Sequence, residues 1–219
     1  MLPRPASVPA DSQDRPAGAA TAVIDAVVFD LGGVLLDWDP TYVLERSQIL
    51  ALDIAGVQRE LDLGTPLEQV RAQWHARFPT KVATIDHYLD NWHHTLPGPI
   101  DDTVAVLDEL HRAGVRLFAL SNFSGDLFRQ HRPRFAFLER FDGLLISGDE
   151  GLVKPDPAIY GLLIERFSLD PPVTVFVDDR ADNVVGARNA GLHAVQFRSA
   201  AQLRADLALL GVLDGAGRG

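Results

Sequence analysis

From residue 99 onward the chain alternates short runs of branched and aromatic apolar residues with stretches of helical period, and the apolar runs stop abruptly at polar residues. Helices are predicted over residues 101–113, 126–132, 157–167, 182–190 and 201–210, and strands over 115–120, 144–146, 173–177 and 194–197. Strands joined through helices run parallel, and a parallel sheet of near-continuous apolar strands needs helices on both faces. Gly114 and Gly191 fall between a helix and the next strand, where a left-handed residue is wanted after the helix end. A length of 219 residues accommodates one such core and a modest insertion.

An earlier strand belongs to the same sheet. Residues 23–29, Val-Ile-Asp-Ala-Val-Val-Phe, end at Asp30 and run into Gly32-Gly33, a buried strand entering a tight turn. Asp39-Pro40 then reads as a helix start, with the carboxylate as N-cap and proline at the first helical position. Helical patterning persists to about residue 96 and is firmest over 40–50, 66–78 and 85–95, before Pro97-Gly98-Pro99 closes it. The expected organisation is a Rossmann-like, three-layer α/β core made of residues 22–39 and 97–219, with a small all-helical cap inserted over 40–96. Residues 1–21 are rich in Pro, Ala, Ser and Gly and lack the apolar stretch of a signal peptide, so a disordered leader is expected there.

Composition removes several function classes. No apolar run is long enough to span a bilayer, and a formal net charge of −10 with only short arginine clusters, such as residues 129–134, argues against a nucleic-acid surface. The absence of cysteine excludes disulfides, a thiolate zinc site and a cysteine nucleophile, so any metal must sit on oxygen or imidazole. A cytoplasmic protein, monomeric or homodimeric, is expected.

In an open parallel sheet, ligands bind beyond the carboxyl ends of the strands. The polar residues there are Asp30 after the first strand, Ser121-Asn122 after the second and Asp178-Asp179 after the fourth, with Lys154 in the loop that follows residues 144–146. Carboxylates gathered from separate strand ends repel unless a hard divalent cation sits among them, and oxygen ligands suit magnesium. Such an ion, bridging Asp30, Asp179 and a substrate phosphate, would let an anionic nucleophile approach an anionic phosphoryl group, while Lys154 and the Ser121 hydroxyl hold the other oxygens.

The segments Phe29-Asp30-Leu31-Gly32-Gly33-Val34-Leu35, Leu120-Ser121-Asn122, Val153-Lys154-Pro155-Asp156-Pro157 and Phe176-Val177-Asp178-Asp179 resemble, in order and spacing, the four motifs of the haloacid dehalogenase-like superfamily. The resemblance covers about residues 23–198 and implies a helical C1-type cap and reaction through an aspartyl enzyme intermediate. Carried over by position, it makes Asp30 the nucleophile and a metal ligand. Ser121 and Lys154 become phosphate binders, Asp179 a magnesium ligand, and Asp178 a residue that assists the ion or orients its water. Asn122 joins the substrate-binding set, and Trp38 either lines the pocket or anchors the cap. The implied substrate is a small phosphorylated metabolite.

One position departs from that pattern. Phosphatases of the superfamily usually carry a second aspartate two residues after the nucleophile to protonate the leaving group, and here that residue is Gly32. Its carbonyl can still face a metal, but acid–base assistance of roughly 10²–10⁴-fold must come from elsewhere or be forgone. Asp37 or Asp39 could return to the mouth and substitute, or the leaving group could be one that departs unaided. The alternatives are a 2-haloacid dehalogenase, whose halide needs no proton, and a catalytically weakened binding or regulatory protein. The retained Asp178-Asp179 pair favours phosphate chemistry, as does the resemblance of this Asp-Leu-Gly to a branch that includes sugar phosphatases. Asn183 could orient ligands from outside the site, while His87, His93, His94, Trp74 and Trp92 are expected to pack or face solvent.

Overall fold

The computed structural model describes residues 23–213, so the leader expected over 1–21 lies outside it. The chain enters at β1 (Ala26–Phe29) and passes through a short strand, β2 (Leu36–Asp37), into four helices: α1 (Arg46–Ala51), α2 (Ile54–Asp62), α3 (Leu67–Arg77) and α4 (Val82–Asp90). It returns through β3 (Gly98–Pro99) and alternates: α5 (Asp101–Arg112), β4 (Arg116–Ser121), α6 (Gly125–His131), β5 (Gly143–Ile146), α7 (Ser147–Glu150) and α8 (Pro157–Phe167). The last elements are β6 (Thr174–Asp178), α9 (Ala181–Asn189), β7 (His193–Gln196) and α10 (Ala200–Leu209).

Five strands form one sheet in the order β5-β4-β1-β6-β7, and every pairing in it is parallel. Successive side chains of a strand point to opposite faces, which divides the apolar runs cleanly. Val27, Phe29, Leu117, Ala119, Val175 and Val177 share one buried cluster, whereas Ala26, Val28, Phe118, Leu120 and Phe176 belong to another. Val106, Leu107 and Leu110 of α5 pack in the first cluster with Leu203 and Leu207 of α10; Ile159, Tyr160 and Leu163 of α8 and Ala187 of α9 pack in the second. Helices thus cover both sides of the sheet, as a doubly buried parallel sheet requires. Among the described residues no helix is long and apolar enough to cross a membrane.

The helical insert leaves and rejoins the core at one place, because β2 and β3 pair antiparallel with Leu36 opposite Pro99 and Asp37 opposite Gly98. Within it Trp74 and Tyr88 meet edge to face, 5.9 Å between ring centroids, and the Trp74 indole N–H donates to the Leu52 carbonyl at 2.9 Å. Trp74 and Trp92 are both buried, as their expected packing role requires.

The insert is also where element boundaries differ from expectation. The helix predicted over 40–50 is two pieces, a 3-10 turn at Pro40–Tyr42 capped by Asp39 and then α1, separated by extended backbone at Glu45, whose N–H donates to Gln48 Oε1 at 2.9 Å. The helix predicted over 85–95 begins at Val82 and ends at Asp90, with the 3-10 turn Trp92–Thr95 following it. Helix α2 falls within the expected helical stretch but outside its firmest helices: Asp53 caps it through the Gly56 N–H at 3.2 Å, yet does so in the left-handed conformation, with φ 51°, and a glycine in the first turn weakens the helical signal.

Candidate active site

The chain leaves β5 and crosses to β6, on the other side of β1, so the strand order reverses at the boundary between β1 and β6. A crevice opens where connections depart in opposite directions, and the residues just past these two strands face it. Asp30 follows β1, with its N–H bonded to the Val177 carbonyl at 2.8 Å and its Oδ1 accepting from the Leu31 N–H at 2.7 Å. Asp178 ends β6 and Asp179 follows it. Carboxylate oxygens of Asp30, Asp178 and Asp179 lie within 4.8 Å of one another.

Lys154 enters this group from the loop before α8, and its buried Nζ lies 3.0 Å from Asp30 Oδ2 and 2.6 Å from Asp178 Oδ2. Asn122 holds that loop in place: its Oδ1 accepts from the Lys154 N–H at 2.8 Å and its Nδ2 donates to the Lys154 carbonyl at 3.0 Å. Asp178 is fully committed to protein donors, accepting from Lys154 Nζ, from Asn183 Nδ2 at both oxygens and from the Arg180 N–H. Asp30 and Asp179, by contrast, line an open cavity.

The electrostatics follow from this packing. Burial pushes the Asp30 carboxyl up to about 7, with Lys154 opposing and Asp178 adding to the rise. Burial, then the Asp178 charge, raises Asp179, partly offset by Lys154. For Lys154 burial works against the charge, but the Asp30 and Asp178 carboxylates outweigh it and hold the ammonium above its ordinary value. Three carboxylates and one ammonium leave an excess of negative charge in a partly desolvated crevice, which the Asp30 and Asp179 carboxylates line. That donor set fits a hard divalent cation of the magnesium kind.

Gly33 is needed for the same arrangement. Its φ is +72°, and a Cβ there would meet Asp179 Oδ2 at 2.9 Å, so a side chain would both strain the turn and displace the carboxylate. Gly32 has no such crowding, its nearest contact being Trp38 Cβ at 4.0 Å.

The cavity has a volume of about 590 Å³ and is walled on one side by the strand ends and on the other by α2 of the insert. Of the residues singled out in the sequence, Asp30, Gly32, Trp38, Asn122, Lys154, Asp179 and Asn183 line it. Trp38 lines the cavity and packs against the apolar cluster that runs into the insert. Ser121 is buried behind the wall, and its Oγ has no partner among the described residues. Asn183, expected outside the site, lines the cavity and donates from Nδ2 to both oxygens of Asp178.

Asp37 and Asp39 do not reach the mouth. Asp37 Oδ2 accepts from the Tyr42 hydroxyl at 2.8 Å and Asp39 Oδ1 from the Thr41 N–H at 2.8 Å, and neither carboxylate lines the cavity. The reason is local: the extended β2 pairing carries Asp37 away with its strand, and Asp39 is used to start the 3-10 turn. His93 and His94 are exposed and off the cavity. What sequence reasoning missed is the contribution of α2, which lines the cavity with Ala55, Gln58, Arg59 and Asp62. The available signal was Asp62 itself, a carboxylate at the C-terminal end of a helix, where the helix dipole disfavours negative charge.

Known proteins agree with this architecture. The chain is 28% identical to the sesquiterpene phosphatase astK of Aspergillus oryzae over 76% of its own length and 86% of that protein's. It is 28% identical to a phosphatase of Mycobacterium tuberculosis, covering 89% of this chain and 99% of that one. Among solved structures it is similar to a HAD-like family hydrolase of Porphyromonas gingivalis, with TM-score 0.66, 26% identity and coverage of 80% of this chain and 91% of the other. A HAD family enzyme of Bacteroides thetaiotaomicron, solved in complex with magnesium and inorganic phosphate, shares the fold at TM-score 0.65 and 20% identity, covering 80% of this chain and 94% of the other. The family model for haloacid dehalogenase-like hydrolases matches residues 24–191, and with the strand order and the four motif segments in place at one crevice, the chain belongs to that family of hydrolases.

Proposed function

We propose that this hydrolase is a magnesium-dependent phosphatase of a small phosphorylated metabolite, acting through an aspartyl-phosphate intermediate at Asp30. The observation that carries the reading is the Asp30 carboxylate at the sheet reversal point, 3.0 Å from a buried lysine and facing an open cavity beside the Asp179 carboxylate. Phosphatases among the relatives, and the magnesium and phosphate bound by the Bacteroides enzyme, support the same choice.

Asp30, Asp179 and the Gly32 carbonyl would hold the ion, with Asp178 held behind them as the group that fixes Lys154. When bound, the ion supplies positive charge that lowers the repulsion between the nucleophile and the phosphate. Asp30 attacks phosphorus in line, and the Asp30–phosphorus bond forms as the bond to the leaving oxygen breaks. Lys154 neutralises phosphoryl oxygens from its fixed place between Asp30 and Asp178. The buried Ser121 Oγ, which has no partner among the described residues, is a hydroxyl that a phosphoryl oxygen would satisfy. Water then cleaves the aspartyl phosphate and releases inorganic phosphate.

The test is phosphate release from a panel of phosphorylated metabolites, with magnesium and with chelator, for the wild type and Asp30→Asn. Release that requires magnesium and falls by about 10⁴-fold or more in the variant supports the mechanism. Halide release from 2-haloacids without metal would instead establish a dehalogenase, and tight ligand binding with no turnover a binding protein.

A further inference from the structure

Gly32 leaves the nucleophile without a neighbouring acid, so the proton for the leaving group has to come from another wall of the cavity. The carboxylates that line it are Asp30, Asp62, Asp179 and Asp182. Asp30 and Asp179 belong to the acidic cluster at the strand ends. Asp182 is exposed and gripped by Arg180, Nη2 to Oδ2 at 2.8 Å and Nε to Oδ1 at 3.2 Å, a pairing that holds it ionised. Asp62 is of a different kind.

It ends α2 on the insert side of the cavity and is only 7% exposed. Among the described residues its carboxyl makes one hydrogen bond, from Gln58 Nε2 to Oδ1 at 2.9 Å, which leaves Oδ2 for a proton. Its backbone is tied to the core. The Asp62 carbonyl accepts from the core residue Ser147 at 2.7 Å, and Gly64 lies so close to the core that a Cβ would meet the Gly148 carbonyl oxygen at 2.5 Å. Burial raises the Asp62 carboxyl to about 6, with Gln58, Lys154 and Arg59 each pulling it down by less. The remaining titratable group facing it is Tyr88 of α4, itself pushed up by burial and then by Asp62. A carboxyl in that range holds a proton near neutral pH and releases it readily, as a general acid must.

In-line displacement places the leaving oxygen on the side of phosphorus away from Asp30, and Asp62, at the end of α2 in the insert, lines the same cavity as Asp30. Building on the phosphatase reading above, we propose that Asp62 is the general acid–base of this enzyme, replacing the side chain that Gly32 lacks. As the Asp30–phosphorus bond forms, the Asp62 carboxyl gives its proton to the departing oxygen, which leaves as an alcohol. The resulting Asp62 carboxylate takes a proton from the water that attacks the aspartyl phosphate, which frees Asp30 and phosphate and returns Asp62 to its starting form.

The experiment is kcat/KM for the magnesium-loaded wild type, Asp62→Asn and Asp37→Asn across p-nitrophenyl, phenyl and alkyl phosphates, whose leaving groups need a proton increasingly. For Asp62→Asn the loss should grow along the series, from less than about tenfold with p-nitrophenyl phosphate to about 10²–10⁴-fold with the alkyl esters. Asp37→Asn should follow the wild type throughout. An equal loss across the series, or one confined to KM, overturns the assignment while leaving the phosphatase reading intact. The wild type gives a second measure that no folding defect can obscure: its own rate should depend only shallowly on leaving-group pKa, and a steep dependence also overturns the assignment. Turnover that survives Asp30→Asn, or no release from any phosphomonoester, overturns the underlying reading and this assignment with it.

Discussion

Replacing Asp62 by asparagine removes one ionisable proton from the insert-facing wall of the cavity, and its effect on stability can be worked out from the burial of that site. The carboxyl titrates at about 6 in the folded chain against an ordinary value of 3.8. The fold therefore prefers the protonated acid, so the stabilisation it brings is complete below pH 3.8 and is lost as pH rises through about 6. A shift of about two units, at 1.36 kcal/mol each, amounts to roughly 3 kcal/mol at neutral pH. Asparagine matches the neutral acid in shape and has nothing to ionise. Urea denaturation of both proteins in chelator, at a series of pH values, should give nearly equal stabilities at low pH. The variant should then gain on the wild type by about 2 kcal/mol between roughly pH 4.5 and 7.5. Lys154 and Tyr88, which face Asp62, are held above their ordinary values and do not titrate in this window, so the difference reports Asp62. A difference that stays constant with pH, or a wild type that gains on the variant as pH rises, would refute the reasoning.

Lys154→Met leaves Asp30 and Asp178 facing each other in a buried site and should lower stability by about 3–5 kcal/mol, measured as a fall in the urea midpoint; a shift below about 1 kcal/mol would mean the pair is solvated. Gly33→Ala and Gly114→Ala both place a side chain at positive φ and should each cost about 1–2 kcal/mol. Only the Gly33 variant crowds Asp179, since a Cβ at Gly114 meets nothing within 4 Å, so calorimetric titration should show magnesium affinity reduced about 10–100-fold in the first and unchanged in the second.

The parts of the site that could be read from sequence are those that follow strands. Asp30 and Asp178-Asp179 stand where apolar runs of β-branched residues end, and parallel pairing carries every such end to one edge of the sheet. Lys154 was legible for a related reason, as a lysine beside a proline-started helix in a strand-following loop. The commitments of these side chains were not legible. Nothing in Ser121-Asn122 indicates that the asparagine would spend both of its amide groups on the Lys154 backbone while the serine hydroxyl finds no partner among the described residues. Asp37 and Asp39 illustrate the opposite error, because nearness in sequence suggested nearness to the crevice, whereas a two-residue strand and a capped turn direct both carboxylates elsewhere. Asp62 was hidden because its helix begins at a left-handed aspartate and carries a glycine, and because its importance depends on tertiary contact with Ser147 and Gly148.

The pairing of β2 with β3 gives the insert an entry and an exit that are hydrogen-bonded neighbours. Such a stem lets the segment beyond it lengthen, shorten or be exchanged over evolution without moving the strand ends, because the core experiences only the closed base of the loop. A relative with an acid two residues past its nucleophile would keep its whole reaction inside the core and could trade inserts freely for new substrates. In this chain Gly32 stands at that position and Asp62 lies beyond the stem. On the Asp62 assignment, an exchange of the insert that preserves the chemistry has to preserve α2, and a chimera given a foreign insert should inherit Asp30 chemistry without its proton donor.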